Sequence, residues 1–234
     1  PIRHDDVDAL RREGYIGKAE GVRSTDVLIP YEDGNKAFKI LSITDQVNIP
    51  SLVAGRMPQT KTECLADARA FDESDIGTVV TLSSDNATDT LDMLNTRSFL
   101  IVGLANTPLY ISTDRGTTTI GDGALKGFLF LHPDAFDLEV YTEVDVCLRR
   151  SAAIYSHEYE SIMETYKPEI TKRVYELAWD QYDNYLDMLG LDRENAKYVD
   201  LEEPETYVLT RRENAGFVSF QNDTAIVSAM ANLL

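Results

Sequence analysis

The stretch from residue 99 to residue 146 constrains the fold of this chain more than any other. An apolar run at 99–104 predicts a strand, and a Pro-containing turn leads from it to a second short strand at 109–112. Two further strand-like runs, 128–131 and 140–146, follow a polar loop with spaced glycines. Short strands separated by turn signals at this spacing predict a β-rich unit.

A helix and a β-hairpin are predicted at the start of the chain. Asp5 or Asp6 can cap a short helix that Gly14 closes. Residues 22–29 and 36–44 then read as two strands, because an Asp-Gly turn separates them and both are rich in apolar residues.

Helical periodicity dominates the chain after residue 150. Large apolar residues recur at a spacing of 3.6 from 155 to 189, and Pro168 either interrupts this helix or opens a second one, which Gly190 ends. The aromatic residues of this stripe favour a packing face over a ligand site. The stripe comprises Tyr155, Tyr159, Ile162, Met163 and Tyr166, then Tyr175, Ala178, Trp179, Tyr182, Tyr185, Leu186 and Leu189.

The last part of the chain mixes loops, a hairpin and a helix. Residues 192–205 are acidic and predict a loop, and 207–210 and 217–220 predict the two arms of a hairpin. A final helix is predicted from residue 223 to 234, because its apolar residues follow the helical period behind a capping Asn or Asp.

These elements predict an α+β fold with a discontinuous domain. Residues 1–47 and 138–172 form a split domain, and residues 48–137 form a β-rich domain inserted into it. Residues 173–234 either dock on the split domain or form a stalk.

The charge balance restricts the partners of the chain. Its 40 acidic and 22 basic residues give a formal net charge of -18, which argues against nucleic-acid binding because phosphate contacts require Lys and Arg. An acidic surface can attract cationic partners, although acids also simply keep a domain soluble. Cys64 and Cys147 are too few for a disulfide scaffold, and both two buried thiols and one disulfide remain open.

No group of residues in the sequence predicts catalysis, a cofactor or a metal ion. His4, His132 and His157 lie far apart and outside any motif, and a G-x-S-x-G nucleophile elbow is absent. The glycines of residues 115–127 do not follow the dinucleotide or Walker A spacing, and the acidic run 85–92 lacks the glycine and terminal Glu of an EF-hand loop. We therefore predict a protein that is not an enzyme, with no catalytic, cofactor-binding or metal-binding residues.

The ends of the chain indicate a piece of a longer protein. The sequence begins at Pro1 without Met and stops at Leu234 within an apolar pattern. No apolar run approaches the ~18–20 residues that a membrane helix needs, and the N-terminus has no signal-peptide pattern.

Three segments resemble the extracytoplasmic domain of FtsX-like (MacB-type) ABC transporter permeases of Gram-positive bacteria. Residues 51–67 (SLVAGRMPQTKTECLAD) are similar to a G-R-x-P-x-x-x-x-E-x-x-x-D element of that family. Residues 107–121 contain T-P-L-Y-I-S and R-G-T-T-T-I-G, and residues 207–220 (YVLTRRENAGFVSF) are similar to the element before the second membrane helix. Two departures are Thr206, where the family commonly has Trp, and Thr210, where it has Asp. The long coiled-coil hairpin of many relatives is also missing.

The resemblance implies a domain on the extracellular face of the cell membrane. The fold would be a split α/β porter-like domain with an inserted β-rich domain, and C-terminal helices and a hairpin would lead toward a membrane helix. Its partners would be the transmembrane helices of the same permease and a cytosolic ATPase, with a homodimer in the full transporter. The domain would bind no ATP, and it would transmit motion during export or handling of peptides, lipids or lipoprotein-like substrates. The alternatives are a docking module that activates a cell-wall hydrolase and a sensor of cationic antimicrobial peptides.

Overall fold

A computed structural model describes residues 2–31, 33–110, 114–199, 201–214 and 224–228. Within these ranges the chain forms two compact units. The terminal unit contains residues 2–21, 140–214 and 224–228. The inserted unit contains residues 22–139.

The fold is a mixed α+β arrangement with two sheets and few helices. The helices are α1 (His4–Arg11), α2 (Thr88–Asp92), α3 (His157–Leu189), α4 (Arg193–Ala196) and α5 (Arg211–Asn214). The strands are β1 (Ile16–Val22), β2 (Ser24–Tyr31), β3 (Gly34–Ser42), β4 (Ser51–Gly55), β5 (Glu63–Asp67), β6 (Val79–Thr81), β7 (Ser98–Asn106), β8 (Leu125–Leu131), β9 (Glu143–Leu148), β10 (Tyr207–Leu209) and β11 (Thr224–Ser228). Short 3-10 turns lie at Glu73–Asp75 and Pro133–Ala135.

The terminal unit is built on a four-stranded sheet in the order β1-β9-β11-β10. Strand β11 is antiparallel to both of its neighbours. Helices α1 and α3 contribute apolar side chains to one core with this sheet, so segments from both sides of the inserted unit build a common interior. That core contains Ile2, Val7, Leu10, Ile16, Ala19, Val144, Val146, Leu148, Ile162, Ile170, Val174 and Val208.

Helix α1 is fixed at its start by Asp6. The Asp6 carboxylate accepts a hydrogen bond of 2.7 Å from the backbone N–H of Arg3, and it also accepts one from the side-chain amide of Gln181 on α3. Burial raises the pKa of Asp6 above its ordinary value, against the effect of these hydrogen bonds. Asp6 therefore both caps α1 and attaches it to α3.

Helix α3 is one continuous helix of 33 residues. The side chain of Ser156 accepts a hydrogen bond from the backbone N–H of Tyr159 at its start, and Gly190 ends it with a left-handed φ of 68°. Pro168 does not break it. Pro168 is exposed, whereas Ile162 and Ile170 on either side of it are buried in the core and hold both halves in place.

The inserted unit is built on a mixed sheet of seven strands. Its main path runs β2-β3-β8-β5-β7-β4, and β6 also pairs with β7. The β3–β8 and β5–β7 pairs are parallel, and the other pairs are antiparallel.

The central strands of this sheet are buried on both faces. Their alternate side chains divide between two clusters: Leu65, Phe128 and Phe130 belong to the smaller cluster, while Cys64 and Leu129 belong to the larger one. Helix α2 contributes Leu91 to the larger cluster. The smaller cluster is covered by Leu109 and Tyr110, which begin the loop between β7 and β8.

The structure groups the N-terminal hairpin with the β-rich part of the chain. The predicted domain boundary at residues 47/48 separates it from that part, but the structural boundary falls at 21/22. The physical reason is the parallel pairing of β3 with β8, which builds the hairpin into the larger sheet. Strand β1, which the sequence reading did not identify, remains in the terminal unit instead.

Three local predictions differ from the structure. The predicted C-terminal helix is wrong where it can be checked, because Thr224–Ser228 is a strand, rich in β-branched residues and paired with β9 and β10. In the second strand predicted at 109–112, Leu109 lies in a turn and Tyr110 in no strand, and residues 111–112 lie outside the described ranges. The acidic loop contains the short helix α4. The predicted hairpin arm at 217–220 lies outside the described residues.

Two glycines lie so close to neighbouring residues that a side chain at either position would clash. A Cβ on Gly103 would lie 2.6 Å from the carbonyl oxygen of Arg56, and a Cβ on Gly21 would lie 2.4 Å from the ring of Tyr141.

In the described ranges, no helix is long and apolar enough to cross a lipid bilayer.

We expect Gly103→Ala to destabilise the inserted unit by about 1–3 kcal/mol, because a methyl group there overlaps backbone atoms that cannot move away. The matched control is Gly14→Ala, whose Cβ meets no atom within 4 Å. It should leave stability unchanged or slightly improved. Urea unfolding followed by circular dichroism measures both, and equal midpoints for the two variants would contradict the packing argument.

Candidate functional site

A buried ion pair joins two of the three segments that carry the family resemblance. Arg115 Nε donates to Asp67 Oδ2 at 2.6 Å, and Arg115 Nη2 donates to Asp67 Oδ1 at 2.7 Å. The side chain of Asp67 is 0% exposed and that of Arg115 is 4% exposed. A bidentate geometry of this kind satisfies both groups at once, which a buried pair requires.

Aromatic rings surround the guanidinium of this pair. Its central carbon lies 5.6 Å from the centre of the Tyr110 ring and 5.4 Å from that of Phe128. The two rings stack with their centres 5.6 Å apart, and Arg115 Nη1 donates to the Tyr110 carbonyl at 3.3 Å. Arg115 therefore holds the loop after β7 against the smaller cluster of the sheet.

A second ion pair lies within the first segment. Arg56 Nη1 donates to Glu63 Oε2 at 3.0 Å, and its other terminal nitrogen donates to Oε1. The hydrogen bonds from Arg56, and then that from the backbone N–H of Gln59, lower the pKa of Glu63 to about 2. The pair of Arg56 and Glu63 therefore closes the turn between β4 and β5.

The third segment forms a corner in the terminal unit. Thr210 caps helix α5: its backbone N–H donates to Glu213 Oε2 at 2.8 Å, and its hydroxyl accepts from the Glu213 N–H at 3.3 Å. Thr210 stands where the family commonly has Asp, and both residue types serve as N-caps. This departure from the family pattern therefore preserves the local structure.

Charged residues after Thr210 attach this corner to α3. Lys167 Nζ on α3 donates to Glu213 at 2.5 and 2.7 Å, and Arg212 pairs with Glu160 at 3.1 Å. Arg211 is 1% exposed, and burial lowers its pKa against the opposing charge of Asp145. Arg211 therefore lies in the interior, whereas Arg212 lies at the surface and pairs with Glu160 on α3.

The histidines and cysteines weighed in the sequence for chemistry each have a separate local environment. His132 caps the 3-10 turn at Pro133–Ala135, His4 contacts Tyr141, and His157 lies on the surface at the start of α3. Burial raises the pKa of Cys64 to about 12, and Cys64 and Cys147 form no disulfide. In the described ranges, no group of three or more His, Cys, Asp or Glu side chains could hold a metal ion.

The acidic run 85–92 has a structural use. Asn86 Oδ1 accepts from the backbone N–H of Leu28 at 2.7 Å, and its side-chain amide donates to the Leu28 carbonyl at 2.8 Å. Asp85 accepts from the side chain of Asn35 at 2.6 Å. This run therefore attaches the segment before α2 to the β2–β3 hairpin.

The sequence reading did not identify the Asp67–Arg115 pair. Both residues stand in the quoted motifs, but other charged residues such as Arg69 and Asp114 lie beside them, so their opposite charges alone did not identify the pair. Forty-eight residues separate them, so no local spacing rule applied.

The chain is similar to solved structures but matches no known family by sequence. No family model matches the chain, and no curated protein is significantly similar to it in sequence. Among solved structures, it is similar to the extracellular domain of the ABC-type transporter YknZ from Gram-positive bacteria, with a TM-score of 0.41, 10% identity, and coverage of 64% of this chain and 74% of that one. It is also similar to the periplasmic region of MacB from Actinobacillus actinomycetemcomitans, with a TM-score of 0.34, 15% identity, and coverage of 58% and 56%.

We expect Asp67→Asn to destabilise the inserted unit by about 3–5 kcal/mol, because it leaves the buried Arg115 charge without its partner. Replacing both residues, as Asp67→Leu with Arg115→Met, should cost less than Asp67→Asn alone. Circular dichroism measures the loss, and the fluorescence of Trp179, the one tryptophan of the chain, follows the terminal unit. A double variant less stable than Asp67→Asn would contradict this prediction.

The Arg56–Glu63 pair predicts a pH dependence of stability. The folded pKa of Glu63, about 2, is below its ordinary value of 4.5, so its contribution is present above pH 4.5 and is lost as the pH falls toward 2. Glu63→Gln should therefore have a lower thermal midpoint than the wild type at pH 7, and the difference should shrink between pH 4.5 and 2. The control is Glu202→Gln, an exposed position in the other unit. A difference that stays constant down to pH 2 would exclude this role.

The cap of α5 predicts a contrast between two substitutions of one residue. Thr210→Ala should lower the stability of the terminal unit by about 1 kcal/mol, whereas Thr210→Asp should remain close to the wild type. Urea unfolding followed by Trp179 fluorescence distinguishes them. Equal losses for both variants would show that Thr210 acts through packing instead of capping.

Proposed function

We propose that this chain is a non-enzymatic extracytoplasmic domain of an FtsX-like ABC transporter permease. In this proposal it couples ATP hydrolysis by a cytosolic ATPase to the export or handling of peptides, lipids or lipoprotein-like substrates. The porter-like part corresponds to the unit of residues 2–21, 140–214 and 224–228, and the inserted part to residues 22–139.

The observation that carries the proposal is the composition of the terminal unit. Segments from before and after the inserted unit share one core and one sheet, in which β1 pairs directly with β9. A force applied to either segment therefore acts on one packed body. A domain between two membrane helices requires this property, because rotation of those helices must become movement outside the membrane.

Helix α3 supports the same mechanical role. At 33 residues it spans about 50 Å. It is attached to α1 through Asp6 and Gln181, and to the corner at Thr210 through Lys167 and Glu213. These contacts tie a long helix to α1 and to α5, so a displacement of one of them can be transmitted along it.

The uses of the motif residues also support a non-enzymatic role. Arg115 pairs with Asp67, and Arg56 pairs with Glu63. Thr210 caps a helix. A catalytic site instead needs a nucleophile, a base and a reacting position within hydrogen-bond reach. The residues that carry the family resemblance are engaged in holding the fold.

We expect an impermeant maleimide to label Asn184→Cys in the full-length permease on intact cells. Asn184 is exposed on α3, and an extracellular position makes its thiol accessible from outside. Cys147 is replaced by Ser in this experiment, and Cys64 remains, because its burial and raised pKa keep it unreactive.

The labelling is interpreted with one control, and one result would contradict the proposal. The Cys147→Ser parent without the new cysteine should not be labelled on intact cells. Labelling of Asn184→Cys that appears only after the membrane is permeabilised would place the domain inside the cell, and it would overturn the proposed function.

A second function has a specific observation in its favour. Tyr175 and Leu189 on α3, and Tyr155 just before it, belong to the predicted apolar stripe but are exposed. Exposed large side chains on a packed helix favour docking of another protein. The alternative is therefore a docking module, and an extracytoplasmic cell-wall hydrolase is the class of partner that the sequence resemblance suggests.

A further inference from the structure

The end of α3 and the segment after it carry exposed apolar side chains. Met188 is 84% exposed and Tyr198 is 82% exposed. Leu189 and Val199 are each about half exposed. Each lies within three residues in sequence of a member of one small buried cluster, whose contacts bring residue 196 back to the end of α3. That cluster contains Tyr182, Leu186 and Ala196, with Trp179, Leu191 and Leu201 packed against it.

This surface, which we name the α3–α4 tip (residues 186–199), is held in a fixed form. Gly190 turns the chain at the end of α3, and α4 then packs back on the helix. Arg193 pairs with Asp183 at 2.6 Å through two hydrogen bonds and lies 4.2 Å from the centre of the Trp179 ring. The backbone that presents the exposed side chains is therefore ordered before any partner binds, which lowers the entropic cost of binding.

The charge around the tip is strongly acidic. Residues 180–205 contain nine acidic residues and two basic ones, a more acidic balance than that of the whole chain with 40 and 22. One of the two bases, Arg193, already pairs with Asp183, and this pairing lowers the pKa of Asp183. Asp187, Glu202 and Glu203 are exposed.

We propose that the α3–α4 tip docks a cationic amphipathic polypeptide segment. Apolar side chains of such a segment would cover Met188 and Tyr198, and its Lys or Arg residues would meet the surrounding carboxylates. A second copy of this chain, with its formal net charge of -18, and an anionic lipid surface would both be repelled here. The inference deepens the docking function above by stating the chemistry of the partner.

The probe is a synthetic 18-residue peptide of Leu and Lys arranged as an amphipathic helix and labelled for fluorescence anisotropy. Two control peptides are matched to it: one has Ser in place of Leu at the same charge, and one has Glu in place of Lys at the same apolar pattern. We expect the Leu/Lys peptide to bind the purified chain, with affinity falling at least tenfold between 50 and 300 mM salt. The two control peptides should bind at least tenfold more weakly.

Three variants locate the site on the chain. Met188→Ser with Tyr198→Ser should weaken binding at least tenfold, and Glu202→Gln with Glu203→Gln should weaken it about threefold and reduce its salt dependence. The matched control is Leu52→Ser with Val53→Ser, which removes exposed apolar side chains from β4 in the inserted unit and should leave binding unchanged. All six positions are exposed, and circular dichroism confirms that each variant is folded.

Several results would overturn the inference. They are absence of binding at 50 mM salt, equal binding of the Leu/Glu peptide, and equal weakening by the β4 control variant. Self-association or binding to zwitterionic vesicles that is lost in the Met188→Ser, Tyr198→Ser variant, without peptide binding, would assign the tip to another occupant. The measurement uses the purified chain, so its outcome is independent of the labelling test of cellular location.

Discussion

The inserted unit depends on the pairing of Asp67 with Arg115. The sheet has one face covered by the larger apolar cluster, whereas the other face has a small cluster of five buried residues and a loop over it. A loop cannot supply enough apolar area to cover a sheet on its own, because its backbone polar groups also need partners. The bidentate pair and the stacked rings of Tyr110 and Phe128 attach the loop at the point where apolar packing is smallest.

The same principle applies to the motif residues of the turn between β4 and β5. Gly55, Arg56 and Glu63 belong to the first of the three segments that carry the family resemblance. In the structure the glycine allows two backbones to approach, and the charges neutralise each other across the turn. Residue types that are suited to catalysis are equally suited to closing a turn, and only the position of their partners distinguishes the two uses.

The sequence predicted those parts of the fold that local patterns determine. The hairpin of β2 and β3, strands β7 to β9 and the helical stripe of α3 followed from alternation, helical period and turn residues. The assignment of the hairpin to the inserted unit did not follow, because the parallel β3–β8 pairing joins residues about ninety positions apart. The C-terminal segment misled for another reason: Ile226 and Val227 fit a helical stripe, yet their β-branched side chains favour the strand that is formed. The ion pair of Asp67 with Arg115 could not be predicted either, because its two residues are also far apart in the sequence.

The contact between Gly21 and Tyr141 has a consequence for how such a protein can evolve. The chain leaves the terminal unit just after Gly21 and returns to it just before Tyr141, and these two residues touch. The two crossing points are therefore neighbours, and a short linker could join them without disturbing the core around β1 and β9. Modular exchange follows from this geometry: a lineage can enlarge, replace or delete the inserted unit while the terminal unit keeps its packing.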